Sequence, residues 1–243
     1  MTVTVLPTPE AACARAADLV EQMVRTKPDA VLALPAGNTP RPVYAELVRR
    51  HREQGLSFAR ATAFTLDEYA EIAADHHASF RRYLSETFYR HVDLPRAAAH
   101  APDATAADLD TECARYEGAI AASGGIDLCL LGVGGNGHIA FNEPGSPFDS
   151  RTRIVTLADD SRIAVAAAFG GEPVPARALT IGIATILAAR RCVLLAYGGS
   201  KADVIAGAVE GPATPLLPAS ALQLHPDATI ILDAAAASRL RRA

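Results

Sequence analysis

His138 and Glu143 lie five positions apart on one glycine-rich segment, and each can move or steer a proton near neutral pH. The segment is Gly132-Val-Gly-Gly-Asn-Gly-His-Ile-Ala-Phe-Asn-Glu-Pro-Gly-Ser-Pro-Phe-Asp-Ser150. It leaves an apolar run, Ile126–Val133, that reads as a buried strand. Four glycines in six positions let the backbone turn sharply and come close to a ligand. A second acidic candidate is the Asp67-Glu68 pair, which follows the strand-like run Ala61–Leu66. It reads either as a carboxylate base at the mouth of a site or as a helix-capping pair on the surface. The other histidines are less suggestive. His51, His76, His77, His91 and His100 read as exposed helix-end or loop residues, and His225, before Pro226, as a turn cap.

Two further loops have the character of anion sites. Ala36-Gly37-Asn38-Thr39-Pro40 joins a strand to a helix, so its amides and the Thr39 hydroxyl can meet an anion at the positive helix end. Gly198-Gly199-Ser200-Lys201 repeats the arrangement and adds a charge. Either alone could be an ordinary tight turn; two in one chain favour a phosphate. Neither has Walker A spacing. Gly132–Gly137 does match G-x-G-x-x-G, but a dinucleotide site requires a helix to start at once, and Pro144-Gly145 breaks one. No His-x-x-x-His or Cys/His cluster occurs, so neither a metal nor a cofactor is expected.

The elements that must carry these residues alternate from end to end. Helices are expected from Pro9, from Pro40, and over Ser79–Tyr89, Ala106–Ala122, Asp160–Ala168 and Lys201–Val209. Strands are expected at Ala30–Leu34, Ala61–Leu66, Ile126–Val133, Arg153–Leu157, Cys192–Tyr197 and Thr229–Leu232. The Ala-rich tail Ala234–Ala243 reads as a surface helix. This alternation implies one α/β domain over residues 1–243, a mostly parallel sheet with helices on both faces. Ligands of such sheets sit beyond the carboxyl ends of the strands. Pro35–Pro40, Asp67–Tyr69, Gly134–Gly145 and Gly198–Lys201 all fall there.

Composition excludes other classes. The 243 residues are 50% hydrophobic and carry a formal net charge of −4, with no basic stripe for nucleic acid. Aromatic residues make up 5% and Trp is absent, which argues against base-stacking platforms. No apolar run nears the ~20 residues of a membrane helix. The N-terminus shows no secretory signal, and Cys13, Cys113, Cys129 and Cys192 read as buried reduced thiols, so a cytoplasmic protein is expected.

The chain resembles the glucosamine-6-phosphate deaminases. Leu34-Pro-Ala-Gly-Asn-Thr-Pro40, Leu66-Asp-Glu-Tyr69, Gly137-His-Ile-Ala-Phe-Asn-Glu-Pro144, Ser150-Arg-Thr-Arg153 and Ser220-Ala-Leu-Gln-Leu-His-Pro226 carry the resemblance, in order over nearly the whole length. The related 6-phosphogluconolactonases share the Gly-His turn but not the Phe-Asn-Glu-Pro after it. The resemblance implies a three-layer αβα Rossmann-like fold. It also implies metal-free conversion of glucosamine 6-phosphate and water to fructose 6-phosphate and ammonia. By position, His138 would open the sugar ring, Glu143 would orient His138, and Asp67 would carry a proton from C2 to C1. Gly37, Asn38, Thr39 and Lys201 would hold the phosphate. Three positions depart from the family. Asn136 stands where the best-known members have Asp; its amide oxygen could accept from the imidazole without bringing charge. Ala167 replaces a phosphate-gripping Arg, which leaves room for another hexosamine phosphate, such as galactosamine 6-phosphate, or for a non-catalytic phosphosugar sensor; Arg162 or Arg41 could compensate. Val155 replaces a Lys of the activator site, so activation by N-acetylglucosamine 6-phosphate is not expected. Relatives range from monomers to hexamers, which leaves a homo-oligomer open.

Overall fold

A computed structural model describes residues 1–241. In chain order it runs β1 (Thr2–Leu6), α1 (Pro9–Thr26), β2 (Val31–Leu34), α2 (Arg41–Gln54), β3 (Thr62–Thr65), β4 (Asp67–Tyr69), α3 (Phe80–Thr87) and β5 (Ala99–His100). It continues with α4 (Leu109–Ala122), β6 (Leu128–Leu131), β7 (Arg153–Thr156), α5 (Asp159–Val165), β8 (Arg177–Thr180), α6 (Ile183–Leu187), β9 (Arg191–Ala196), α7 (Ala202–Glu210) and β10 (Ala228–Asp233). Seven strands form a parallel sheet in the order β1-β10-β9-β6-β2-β3-β5. Helices cover both faces, which gives the αβα architecture that the alternation implies.

The unbroken apolar runs follow from that burial. Successive side chains of a strand point to opposite faces, so a strand covered on both sides must be apolar throughout. Leu32, Leu34, Leu128, Leu130, Val193 and Leu195 pack with α1 and α2 on one face. Val31, Ala33, Cys129, Leu131, Cys192 and Leu194 pack on the other with Ile120, Ile186 and Ile205. All four cysteines are buried and unpaired. No helix of the described residues is long and apolar enough to cross a membrane.

Helix starts follow local capping. Thr8 accepts from the Ala11 amide ahead of Pro9, as the Thr-Pro pair predicts. The fourth helix starts at Leu109 rather than at Ala106, because the Asp108 carboxylate takes the amides of Asp110 and Thr111. The tail differs more. Residues 234–239 form turns, not a surface helix, and Ala236 and Ala237 are buried in the core; residues 242–243 lie outside the described part.

A second, three-stranded sheet, β4-β8-β7, was not legible in the sequence. Its strands are antiparallel, with Asp67 opposite Thr180 and Thr180 opposite Arg153. The main sheet hands the chain to it at Leu66. The Leu66 amide donates to Leu34 of β2 (3.3 Å), and its carbonyl accepts from Ile181 (2.8 Å). Asp67 is therefore gripped by two sheets at once.

Candidate active site

The four strand-end segments converge as the topology requires. Strands β9, β6, β2 and β3 are neighbours, and their carboxyl ends release the Gly198, Gly132, Pro35 and Leu66 segments on one side of the sheet. Between the last three lies a cavity of about 230 Å³. Asp67, His138 and the Gly37–Thr39 loop line it, with Tyr69, Phe80, Phe141 and Val165 as apolar wall. Asn136, Glu143 and Lys201 stand outside the lining.

Strand alternation splits the Asp67-Glu68 pair. Glu68 turns away from the cavity and accepts from the Ser79 hydroxyl (2.7 Å) and from the Phe80 and Arg81 amides (3.0 Å each). It caps α3 from within the core, so the capping reading holds for this half of the pair. Asp67 faces the cavity and is 6% exposed. No hydrogen bond to its carboxylate is found among the described residues. Burial, and secondarily the nearby Glu68 charge, raise its pKa well above the ordinary carboxylate value. A carboxylate so placed is a stronger base than one in water.

The histidine loop is closed by its own backbone. The Gly134 amide donates to the His138 carbonyl (2.9 Å), and the Gly137 amide to that of Gly134 (3.1 Å). No helix follows, which removes the dinucleotide reading of the glycine pattern. The imidazole lies directly on Gly134: a Cβ there would meet its ring atoms at 2.2–2.4 Å. Gly137 has φ +87°, and the Leu217 side chain occupies the space a Cβ would need. The Ala219 amide then donates to the Gly137 carbonyl (3.0 Å), so the segment leading into Ser220–Pro226 braces this loop. Ala140, on the cavity wall, holds φ +49°, a strained value for a residue with a side chain. Gly134→Ala is expected to fold, since a ring can rotate away. It should nevertheless cut kcat by about 10²-fold through misplacement of the base; steady-state kinetics beside a thermal melt checks this.

Behind the imidazole, Glu143 lies 3.6 Å from His138 Nδ1, which is buried and lacks another partner. Glu143 also accepts from Asn136 Nδ2 (2.7 Å) and from the Ser161 hydroxyl. Burial pushes its carboxyl up, but the contacts from His138, Ser161 and Asn136 outweigh this and bring it down to about 2. Glu143 therefore stays ionised, and its charge beside Nδ1 favours the tautomer with the proton on that nitrogen. The contribution of Asn136 differs from the expected one. Its Oδ1 accepts from the His138 backbone amide (3.1 Å) rather than from the ring, and its Nδ2 steadies Glu143. An amide suits this place because it donates where Asp would repel. Because the Glu143 pKa is lowered by folding, its stabilising effect is full above about pH 4.5 and fades as pH falls toward 2. Glu143→Gln should flatten the stability loss in that window, read by denaturant titration at pH 2–5.

The phosphate-type loop is built from its carbonyls. Tyr44, Tyr83 and Tyr197 donate their hydroxyls to the carbonyls of Pro35, Gly37 and Asn38. Among the described residues the amides of Gly37, Asn38 and Thr39 donate to no protein acceptor. They lie at the N-terminus of α2, where free amides and the helix dipole favour an anion. Lys201 ends the turn after β9; burial lowers its pKa, and it has no ion pair among the described residues. Neither Arg41 nor Arg162 lines the cavity. Arg41 sits over the Tyr83 ring (5.5 Å), and Arg162 bonds Asp159 (3.5 Å) and the Val174 carbonyl (3.1 Å). Ala167 is exposed.

Sequence reasoning missed Ser161, whose hydroxyl reaches Glu143 across 18 positions, and the aromatic wall. Arg153 donates to Asn142 (2.8 Å) and Ser146 (2.9 Å), and so clamps the segment that holds Glu143. His77 and His91 are exposed as expected, whereas His51, His76 and His100 are partly buried. His100 is half-buried, its ring 4.7 Å from that of Phe64. His76 and His77 meet Glu172, with ligand-type atoms within 4.8 Å, a cluster that spacing alone could not reveal; His76 already pairs with Glu172 at 3.0 Å. His225 caps its turn as expected, accepting from the Asp227 amide (3.0 Å).

Comparison with known proteins bears on this geometry. A family profile described as glucosamine-6-phosphate isomerases/6-phosphogluconolactonase matches residues 8–231. The glucosamine-6-phosphate deaminase of Arthrobacter sp. (strain FB24) is 46% identical over 100% of this chain and 94% of its own length. That of Mycolicibacterium smegmatis is also 46% identical, over 99% and 93%. The solved structure of a monomeric glucosamine-6-phosphate deaminase superposes with a TM-score of 0.96 at 42% identity, covering 98% of this chain and 100% of the other. A 6-phosphogluconolactonase from Trypanosoma cruzi shares the fold, with a TM-score of 0.81 at 22% identity over 99% and 97% of the two chains.

Proposed function

Since the chain belongs to the glucosamine-6-phosphate isomerase/6-phosphogluconolactonase family, we propose that its cavity converts glucosamine 6-phosphate and water to fructose 6-phosphate and ammonia. The observation that carries this reading is the pairing of two bases on one cavity. Asp67 is an unbonded buried carboxylate, and His138 is an imidazole oriented from behind by Glu143. A lactone hydrolysis has no use for a carbon base; an aldose-to-ketose shift requires one.

The phosphate binds at the Gly37, Asn38 and Thr39 amides, and Lys201 adds its charge from the neighbouring loop. That contact is remote from the reacting carbons, so its binding energy goes into orientation. His138 Nε2 takes the proton of the C1 hydroxyl and returns one to the ring oxygen, which opens the ring. Glu143 stabilises the imidazolium in between. Asp67 then removes the C2 proton, and the electron pair moves to give an enolamine. Return of that proton to C1 leaves an imine at C2; water adds there and ammonia departs. Every residue in this scheme comes from one chain, which accords with the monomeric deaminase of similar structure. A single domain over residues 1–243 is part of the same reading.

A second substrate remains within the proposal because Ala167 supplies no guanidinium. Purified protein is incubated with glucosamine 6-phosphate or galactosamine 6-phosphate, and ammonia and ketose phosphate are measured. Preferred turnover of the first supports the reading. Preference for the galacto epimer moves it to the second. Binding of either without product, even on prolonged incubation, would leave a phosphosugar sensor instead.

A further inference from the structure

A hollow of about 490 Å³, larger than the catalytic cavity, opens beside β3 and β5 on the outer side of the sheet. That volume is typical of small-molecule sites. Arg81, Arg90, Arg96 and His100 line it, together with Thr65 and Tyr89. No Asp or Glu stands in the lining. Among the described residues none of these arginines has an ion-pair partner; the nearby Glu86 is taken by Arg82 at 2.9 Å. Convergent guanidinium groups repel one another and draw in an anion.

The second observation is independent of charge. Thr65 is 1% exposed, and its Oγ1 is buried without a hydrogen bond. The Tyr89 hydroxyl beside it is also buried, and the polar group within its reach is that same Thr65 hydroxyl, with no well-formed hydrogen bond between them. Buried hydroxyls are nearly always satisfied in folded proteins, and leaving one bare costs about 1–3 kcal/mol. Even when paired with each other, the two leave one hydroxyl proton on the wall of the basic hollow in want of an acceptor.

We propose that this hollow binds a small organic phosphate, at a site separate from the catalytic cavity. Phosphate fits better than a single carboxylate because its several oxygens can engage more than one guanidinium and a hydroxyl together. The site also lies close in sequence to the catalytic one. Thr65 precedes Asp67 by two positions on a continuous extended stretch. Arg81, whose side chain lines the hollow, donates its amide to Glu68 (3.0 Å), and its neighbour Phe80 lines the catalytic cavity. An occupant is thereby placed to change KM for the sugar phosphate.

Inorganic pyrophosphate is a suitable probe, followed by calorimetric titration at fixed ionic strength, since binding is then read without turnover. Wild-type protein should show two classes of site. Arg90→Gln/Arg96→Gln should weaken one of them by about tenfold and leave basal turnover unchanged. Thr39→Val should weaken the other. Both arginines are exposed, and a matching thermal melt establishes that the double variant folds; if it melts early, Arg96→Gln alone serves in the same titration. A single class of site abolished by Thr39→Val overturns the proposal. So does a double variant that binds as the wild type does, or citrate binding at this site as tightly as pyrophosphate.

Discussion

Asp67→Asn is expected to lower kcat for glucosamine 6-phosphate by about 10³-fold, with KM changed only a few-fold. The amide keeps the shape of the side chain but cannot take a proton from carbon. The phosphate loop is a separate structure, held by three tyrosines, so ground-state binding should survive. Transfer of deuterium from C2 to C1 or to solvent should vanish with turnover. In the wild type, burial and the Glu68 charge raise the Asp67 pKa. The acidic limb of kcat/KM should therefore lie above the ordinary carboxylate range near pH 4. The same shift fixes the sign of a stability effect. A carboxyl whose pKa is raised by folding favours the fold while protonated, below its unfolded pKa. That contribution is lost as pH rises through the folded value. At pH 7, above the unfolded carboxylate pKa, the buried Asp67 carboxyl thus weakens the fold relative to a neutral side chain, and Asp67→Asn should raise Tm while destroying activity. A variant that is both slow and less stable would show that Asp67 is a structural residue rather than a base.

That opposition explains what was legible in the sequence. Long-range burial made the strands visible: Val31–Leu34, Leu128–Leu131 and Arg191–Ala196 are apolar because both faces are covered. Turn chemistry made the loops visible: Gly137 holds a positive φ, and Gly134 leaves room for the imidazole lying on it. The antiparallel sheet could not be seen. Strand β4 is three residues long and its first two are acidic, and its partner β8 lies about 110 positions away. Neither strand has the length over which alternation can register. The same gap concealed how Asp67 and Glu68 divide their tasks, because the division depends on which sheet face each meets. Ser161 escaped for a related reason. A serine in a short helix carries no mark of a carboxylate 18 positions earlier. Asn136 was legible as a departure but not in its effect: whether the amide serves the ring or the carboxylate is settled by where Glu143 returns.

His138→Gly should reduce turnover of glucosamine 6-phosphate by about 10²–10³-fold, and added imidazole should recover part of it. The space around the ring makes rescue possible. The imidazole lies on Gly134, so its removal leaves a ring-shaped gap that free imidazole can fill, with Glu143 still held by Ser161 and Asn136 as an ionised partner to orient it. Rescue should rise with pH through the pKa of imidazole, because the neutral base is the active form. Glutamine at the same position fills the gap and should not be rescued. The loss should also depend on the substrate. Glucosamine 6-phosphate must be ring-opened before Asp67 can reach an acidified C–H. Fructose 6-phosphate with ammonium enters through an open keto form and asks less of His138. Hydrogen exchange into fructose 6-phosphate should therefore fall much less in His138→Gly than forward turnover does, whereas Asp67→Asn should abolish both. Equal losses in the two directions would place His138 in the carbon-proton transfer itself and leave Asp67 without a separate task.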